Sequence, residues 1–313
     1  MLEILLVVLP VFMLVGLGYG GTRWGVFKIE TSEGMMAFAM KLAVPTLLFR
    51  AMMQLDLATV FEANLLLSFY IGAFISFLLA TFGARLVIGR EAPDSVVIGF
   101  GALFSNCFLL GIPIMERAFG ASSLAPNFAI IAVHSTFCYL VGITAMELVS
   151  QTGKGMGGAV AAILRTMLKN TLMLGIAAGL LVNLSGLTLP EPIMQVVDML
   201  ANASLPVALF AMGGVLTRYE MRRSLGAASM VAGLSLMAHP AITLLLGTTV
   251  FPLSDEFLRS AVLTAAMPTG VNAYVFAAIY GRALGAAASA VLLATAASIA
   301  TISFWLFVLH RLT

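Results

Sequence analysis

Leu263-Thr-Ala-Ala-Met-Pro-Thr-Gly-Val-Asn-Ala-Tyr-Val-Phe-Ala-Ala-Ile-Tyr-Gly281 lies inside an apolar segment, yet carries Pro268, Thr269, Gly270 and Asn272 at its middle. Proline lacks a backbone donor and its ring clashes with the preceding turn, glycine loosens the backbone, and hydrocarbon supplies no water for the groups released. A helix broken at membrane depth persists where protein or a watery cavity encloses the break. In carriers that place is the substrate site.

The composition agrees with a membrane setting. Of 313 residues, 61% are hydrophobic and 10% charged, against about 25% charged in an ordinary soluble domain. The chain therefore reads as an integral, multi-pass membrane protein embedded in a lipid bilayer. No basic tail suggests nucleic acid. Cys107 and Cys138 both fall in apolar spans and read as small buried hydrophobes, with neither a disulfide framework nor a metal-ligand cluster indicated. Gly153-Lys-Gly-Met-Gly-Gly158 lacks the spacing and the Ser or Thr after Lys that a nucleotide loop needs. No catalytic constellation stands out, so an enzyme, a cofactor and a metal are not expected.

Hydropathy predicts ten spans, near 3–21, 34–53, 62–88, 94–118, 126–150, 166–184, 192–216, 225–251, 257–280 and 284–309. Each approaches the roughly 20 residues that cross about 30 Å of hydrocarbon. The acidic Glu3 ahead of the first apolar run argues against a cleaved signal peptide. Alternate loops share a side. One set holds Arg23, Lys28, Arg85, Arg90, Lys154, Arg165, Lys169, Arg218, Arg222, Arg223 and Arg282; the other holds Arg50, Arg117, Arg259 and Arg311. Basic residues of short loops stay in the cytoplasm, so this 11-to-4 division puts the 151–165 connection inside and both termini outside.

A single ungapped offset of 161 joins the halves: Gly18 with Gly179, Gly25 with Gly186, Pro45 with Pro206, Gly72 with Gly233, Asp94 with Asp255, and Gly120 with Gly281. Five spans is an odd number, so two such units in series point oppositely across the membrane. The expected fold is all-α: two inverted five-helix repeats, 1–150 and 166–313, joined by a cytoplasmic loop at 151–165. The broken ninth span then predicts a broken fourth. Ser105-Asn-Cys-Phe-Leu-Leu-Gly-Ile-Pro113 meets that expectation with an amide and a Gly-x-Pro break.

Ser105-Asn-Cys-Phe-Leu-Leu-Gly-Ile-Pro-Ile114, Met267-Pro-Thr-Gly-Val-Asn-Ala-Tyr-Val-Phe-Ala277 and the closing Tyr280-Gly281 together resemble the auxin efflux carrier family, especially its bacterial members, over essentially the whole chain. The resemblance implies a fold similar to the bile acid sodium symporters, in which two broken helices cross at the midplane and a mobile domain moves against a scaffold. It implies small organic anions as cargo, such as auxin in plants and malate or malonate in bacterial relatives. A homodimer and a bacterial inner membrane location follow from the same resemblance. Cys107 and Phe108 stand where many relatives carry Thr and Gly.

Charge reasoning from the residues points the same way. If both spans break, the second half-helices, starting near Pro113 and Thr269, present N-termini at mid-membrane. Each such end carries about half a positive charge and free N–H donors. The candidate substrate-binding residues are Ser105, Asn106, Gly111, Pro113, Pro268, Thr269, Gly270 and Asn272, with the two asparagines either gripping a carboxylate or capping broken backbone. Lys41, Asp198 and His134 are candidates for coupling to a proton or sodium. For each there is a plainer reading: Lys41 snorkelling to an interface, Asp198 in a packed ion pair, His134 satisfying a buried neighbour. The expected function is a secondary carrier of a small organic anion working by alternating access. A sodium-coupled symporter of a larger amphipathic anion and an anion channel are the alternatives.

Overall fold

A computed structural model describes residues 2–56, 61–150, 170–219 and 224–313. The expected 151–165 connection lies outside the described residues. All extended regular structure among the described residues is helical, in the order α1 Leu2–Arg23, α2 Ile29–Phe38, α3 Val44–Gln54, α4 Ala63–Leu86, α5 Ala92–Leu103, α6 Ile112–Phe119, α7 Leu124–Ser150, α8 Thr171–Ser185, α9 Glu191–Leu216, α10 Leu225–Gly233, α11 His239–Thr249, α12 Asp255–Ala265, α13 Asn272–Tyr280 and α14 Leu284–Leu312. Among the described residues, seven continuous helices are long and apolar enough to cross a membrane, against ten expected spans over the whole chain. Two of the other three spans are broken, and the third is described only in part. The fourth expected span is divided between α5 and α6, the ninth between α12 and α13, and α8 is described only from Thr171.

Proline shapes several of these helices. Three wide π-turns, Ala39–Ala43, Cys107–Gly111 and Leu234–Ala238, each end two residues before a proline, namely Pro45, Pro113 and Pro240. A proline ring collides with the carbonyl four residues earlier and offers it no N–H; widening the turn relieves the collision. The released carbonyls then find side chains elsewhere. Leu236, four before Pro240, accepts from Trp305 Nε1 at 2.8 Å, and Met40 accepts from Thr171 Oγ1 at 2.8 Å. Without such partners each would be an unsatisfied acceptor in hydrocarbon.

The chain forms two compact units, one of Met1–Leu9, Phe61–Ile163 and Tyr219–Thr313, the other of Pro10–Val60 and Leu164–Arg218. Each unit therefore draws helices from both halves of the sequence. Lipid tails are as apolar as leucine, so helices associate through close packing of small residues. In the first unit Ala80 and Ala84 of α4, Ile98 and Ala102 of α5, Ala227, Ala228 and Val231 of α10, and Ala286 and Ala290 of α14 form one buried cluster. In the second, a Cβ on Gly18 would collide with the backbone of Phe210, and one on Gly179 with the backbone of Phe49. Gly18 and Gly179 are 161 apart, and so are Phe49 and Phe210. Asn183 Nδ2 closes the end of α3, donating to the carbonyls of Met52, Met53 and Leu55 at 2.8 to 3.0 Å.

Candidate functional site

The two breaks meet within the first unit. After α5 the chain extends through Phe104 and Ser105; after α12 it extends through Met267 to Gly270, and Ser105 and Thr269 pair as a single antiparallel bridge. Asn106 N donates to Pro268 O at 2.7 Å, and Gly270 N donates to Phe104 O at 2.8 Å. Each break thus satisfies the other's backbone, which is how non-helical chain survives away from water. Thr269 Oγ1 adds a bond to the Gly101 carbonyl in the last turn of α5, at 3.0 Å. Gly270 packs closely here: a Cβ there would stand 3.1 Å from the Phe104 ring.

The pairing directly joins Ser105, Asn106, Pro268, Thr269 and Gly270, a Cβ on Gly111 would touch Met267, and Pro113 and Asn272 follow two residues further along their segments. Ser105, Asn106, Gly111, Pro113, Pro268, Thr269 and Gly270 are buried, and Asn272 is half-buried at the start of α13. The helical path resumes at Cys107, earlier than the expected Pro113, because the π-turn precedes the proline. Asn106 O accepts from Leu110 N and Gly111 N at 3.4 and 3.3 Å. Ser105 Oγ is buried without a hydrogen-bond partner among the described residues. Residues 104–111 and 266–272 contain no charged side chain, so the positive ends of the two resumed helices are not neutralised by a carboxylate from either break.

Some residues at this place carried no sequence signal. Tyr139 of α7 donates from its hydroxyl to Asn272 Oδ1 at 3.5 Å, and its ring lies 5.5 Å from Phe100. Phe100 and Phe276 stack in parallel with centroids 4.0 Å apart, bracing α5 against α13. Asn127 Nδ2 donates to Thr264 Oγ1 at 2.6 Å in the turn before the second break. A tyrosine or an asparagine in an apolar run is common, and only the fold brings these two to the crossing.

Of the coupling candidates, His134 belongs to the same unit as the crossing, and Asp198 and Lys41 belong to the second unit. His134 is buried on α7, edge-on to Phe104 at 4.8 Å, with Cys138 Sγ 3.8 Å from its ring nitrogens. Asp198, in the second unit, accepts from Arg50 Nη1 at 3.0 Å, and Asn202 Oδ1 accepts from the same nitrogen at 3.2 Å. Lys41 is exposed in the first π-turn. It stands near the middle of the continuous helical run from Ile29 to Gln54.

One end of the first unit is clamped by charge. Arg282 pairs with Glu91, and its Nε donates to Asp94 Oδ1 at 2.7 Å. The Glu91 hydrogen bond and the Asp94 charge push its guanidinium above the ordinary value. Arg90 Nη2 donates to Ser224 Oγ at 3.0 Å. At the other end of the same segments, the Arg259 guanidinium lies 5.2 Å from the Phe119 ring centre. The α5–α6 and α12–α13 segments therefore run antiparallel.

A family model described as "Membrane transport protein" matches residues 4–306. The chain is 26% identical over 314 residues to a protein of Rhizobium meliloti named "Putative malonate transporter", covering 99% of this chain and 97% of that one. It is also 26% identical over 312 residues to a protein of Methanothermobacter thermautotrophicus named "Uncharacterized transporter", covering 96% and 97%. Both names describe transport and neither describes an enzyme.

Proposed function

We propose that this chain, which belongs to the auxin efflux carrier-like membrane transport protein family, is a secondary carrier of a small organic anion such as a malonate-like dicarboxylate. It is a multi-pass integral membrane protein whose family handles small-molecule substrates. The observation that carries the reading is the antiparallel pairing of two broken helices at Ser105 and Thr269. Two resumed helices begin there, with amide side chains and no lining carboxylate. Helix N-termini attract anions, and Asn106 and Asn272 supply N–H donors for a carboxylate. The Tyr139 hydroxyl donates to Asn272 Oδ1 at 3.5 Å and helps to orient that amide. Purified protein titrated with a panel of mono- and dicarboxylates, malonate among them, is expected to melt higher with one of them, since a bound ligand stabilises by mass action. No stabilisation by any carboxylate, with stabilisation by an organic cation, would sink the reading.

The ten-span, inverted-repeat arrangement belongs to the same proposal, with repeats at 1–150 and 166–313. It is supported by the reciprocal contacts of Gly18 with Phe210 and Gly179 with Phe49, related by the 161-residue offset. Gly25 and Gly186 both take positive φ, +79° and +65°, as do Gly120 and Gly281, +87° and +64°. The orientation has both termini outside the cytoplasm, in a bacterial inner membrane. Val87, just past the end of α4, and Leu187, just past the end of α8, are exposed at ends assigned to opposite sides. In right-side-out cells an impermeant maleimide is expected to label Leu187→Cys and to reach Val87→Cys only after permeabilisation. The reverse pattern would invert the topology.

Coupling is proposed to use a proton, with Asp198 as carrier; Lys41 and His134 are the other candidates, and sodium is the alternative ion. Because Asp198 is paired with Arg50 at 3.0 Å, taking up a proton means releasing that partner. Asp198→Asn is expected to abolish uphill accumulation while exchange continues in part. An unchanged pH dependence of transport in that variant removes Asp198 from the coupling path. Two copies forming a homodimer remain part of the reading, tested by mass of the detergent-solubilised protein.

A further inference from the structure

The first helix contains a proline that no π-turn accommodates. Pro10 lies inside α1, where its missing N–H would have bonded the Leu6 carbonyl and its ring crowds that group. Arg117, from the last turn of α6, takes over: Nη2 donates to Leu6 O at 3.3 Å and Nε donates to Val7 O at 2.9 Å. These are the two carbonyls that a proline kink at position 10 loosens.

The chain passes from one compact unit to the other between Leu9 and Pro10. Another passage, between Arg218 and Tyr219, falls in the turn after α9, where bending needs no special device. The passage at Pro10 falls inside a helix, and an intact helix resists bending because every turn is hydrogen-bonded to the next. Before the proline, the first turns are held to α6 by Arg117. After it, α1 packs so closely on α9 that a Cβ on Gly213 would collide with Val15 O and Tyr19 N, and one on Gly18 with the backbone of Phe210.

We propose that Pro10 is a hinge dividing α1 into a short arm anchored by Arg117 and a long arm packed on α9, so that the two arms take independent orientations. The missing hydrogen bond makes the bend inexpensive, and the guanidinium, a planar fork with several donors, keeps the freed carbonyls satisfied. This inference does not depend on which anion is carried.

The test uses nitroxides at Leu5 and Leu17, both exposed positions flanking Pro10, in a Cys107→Ala/Cys138→Ala background reconstituted in lipid nanodiscs. An unbroken helix separates backbones 12 residues apart by about 18 Å, within range of pulsed electron spin resonance. With Pro10 present the distance distribution is expected to be broad. Pro10→Ala restores the bond to Leu6 O and is expected to narrow the distribution at least twofold. Arg117→Gln removes the anchor while keeping the proline and is expected to broaden it, which supplies a reading even if Pro10→Ala does not fold. Equal widths for Pro10 and Pro10→Ala, or a shifted mean without narrowing, would show a fixed kink and overturn the hinge. No change in Arg117→Gln would overturn the anchor.

Discussion

Asn106→Ala and Asn272→Ala are each expected to weaken binding of the stabilising carboxylate about 10- to 150-fold while the protein still folds and reaches the membrane. That range follows from the roughly 1.5 to 3 kcal/mol carried by a hydrogen bond to a charged group, at about tenfold per 1.4 kcal/mol. The two variants separate two roles. Asn106 also holds the crossing through its backbone N–H to Pro268 O at 2.7 Å, a bond that alanine keeps. Asn272 accepts from Tyr139, so Tyr139→Phe should lower affinity less than Asn272→Ala if the tyrosine acts by orienting the amide. Isothermal titration of purified variants against wild type decides the matter. Wild-type affinity in both alanine variants would make the asparagines structural caps and move the site elsewhere.

Gly18→Val and Gly179→Val are expected to destabilise the protein equally, by about 3 kcal/mol each, at the upper end of the usual cost of overpacking. The new side chain meets backbone at both positions, that of Phe210 and that of Phe49, and a helix backbone cannot rotate away as a side chain can. Thermal melts in detergent provide the measurement. Gly16→Val, at a position where a Cβ would have nothing within 4 Å, is the matched control and should change little. A large difference between the Gly18 and Gly179 variants would break the equivalence that the 161-residue offset implies.

Much of the membrane architecture was legible from hydrophobicity and proline alone. The two breaks at Ser105–Pro113 and Met267–Asn272 are visible because proline, glycine and asparagine are out of place in an apolar run. Their pairing with each other, on which the proposed site rests, joins positions 164 residues apart in the chain, Ser105 and Thr269. Arg117 illustrates the same boundary. Its position at the end of a span suggests a rim charge, whereas its partners are two carbonyls of α1, released by a proline more than 100 residues earlier.

The amino-acid order by itself determined that the chain lives in lipid, where its helices must bend or stop, and that polar groups concentrate at two places. These are consequences of residue chemistry acting on its own neighbours, since a proline lacks its donor in any context. Tertiary structure alone decided which partners receive the groups so released: Pro268 O by Asn106 N, Leu236 O by Trp305, Leu6 O by Arg117, and Asp198 by Arg50. The reason is physical. In hydrocarbon an unsatisfied polar group costs several kcal/mol wherever it lies, but many donors of the right kind exist along the chain, and only the packing of helices brings one of them within about 3 Å.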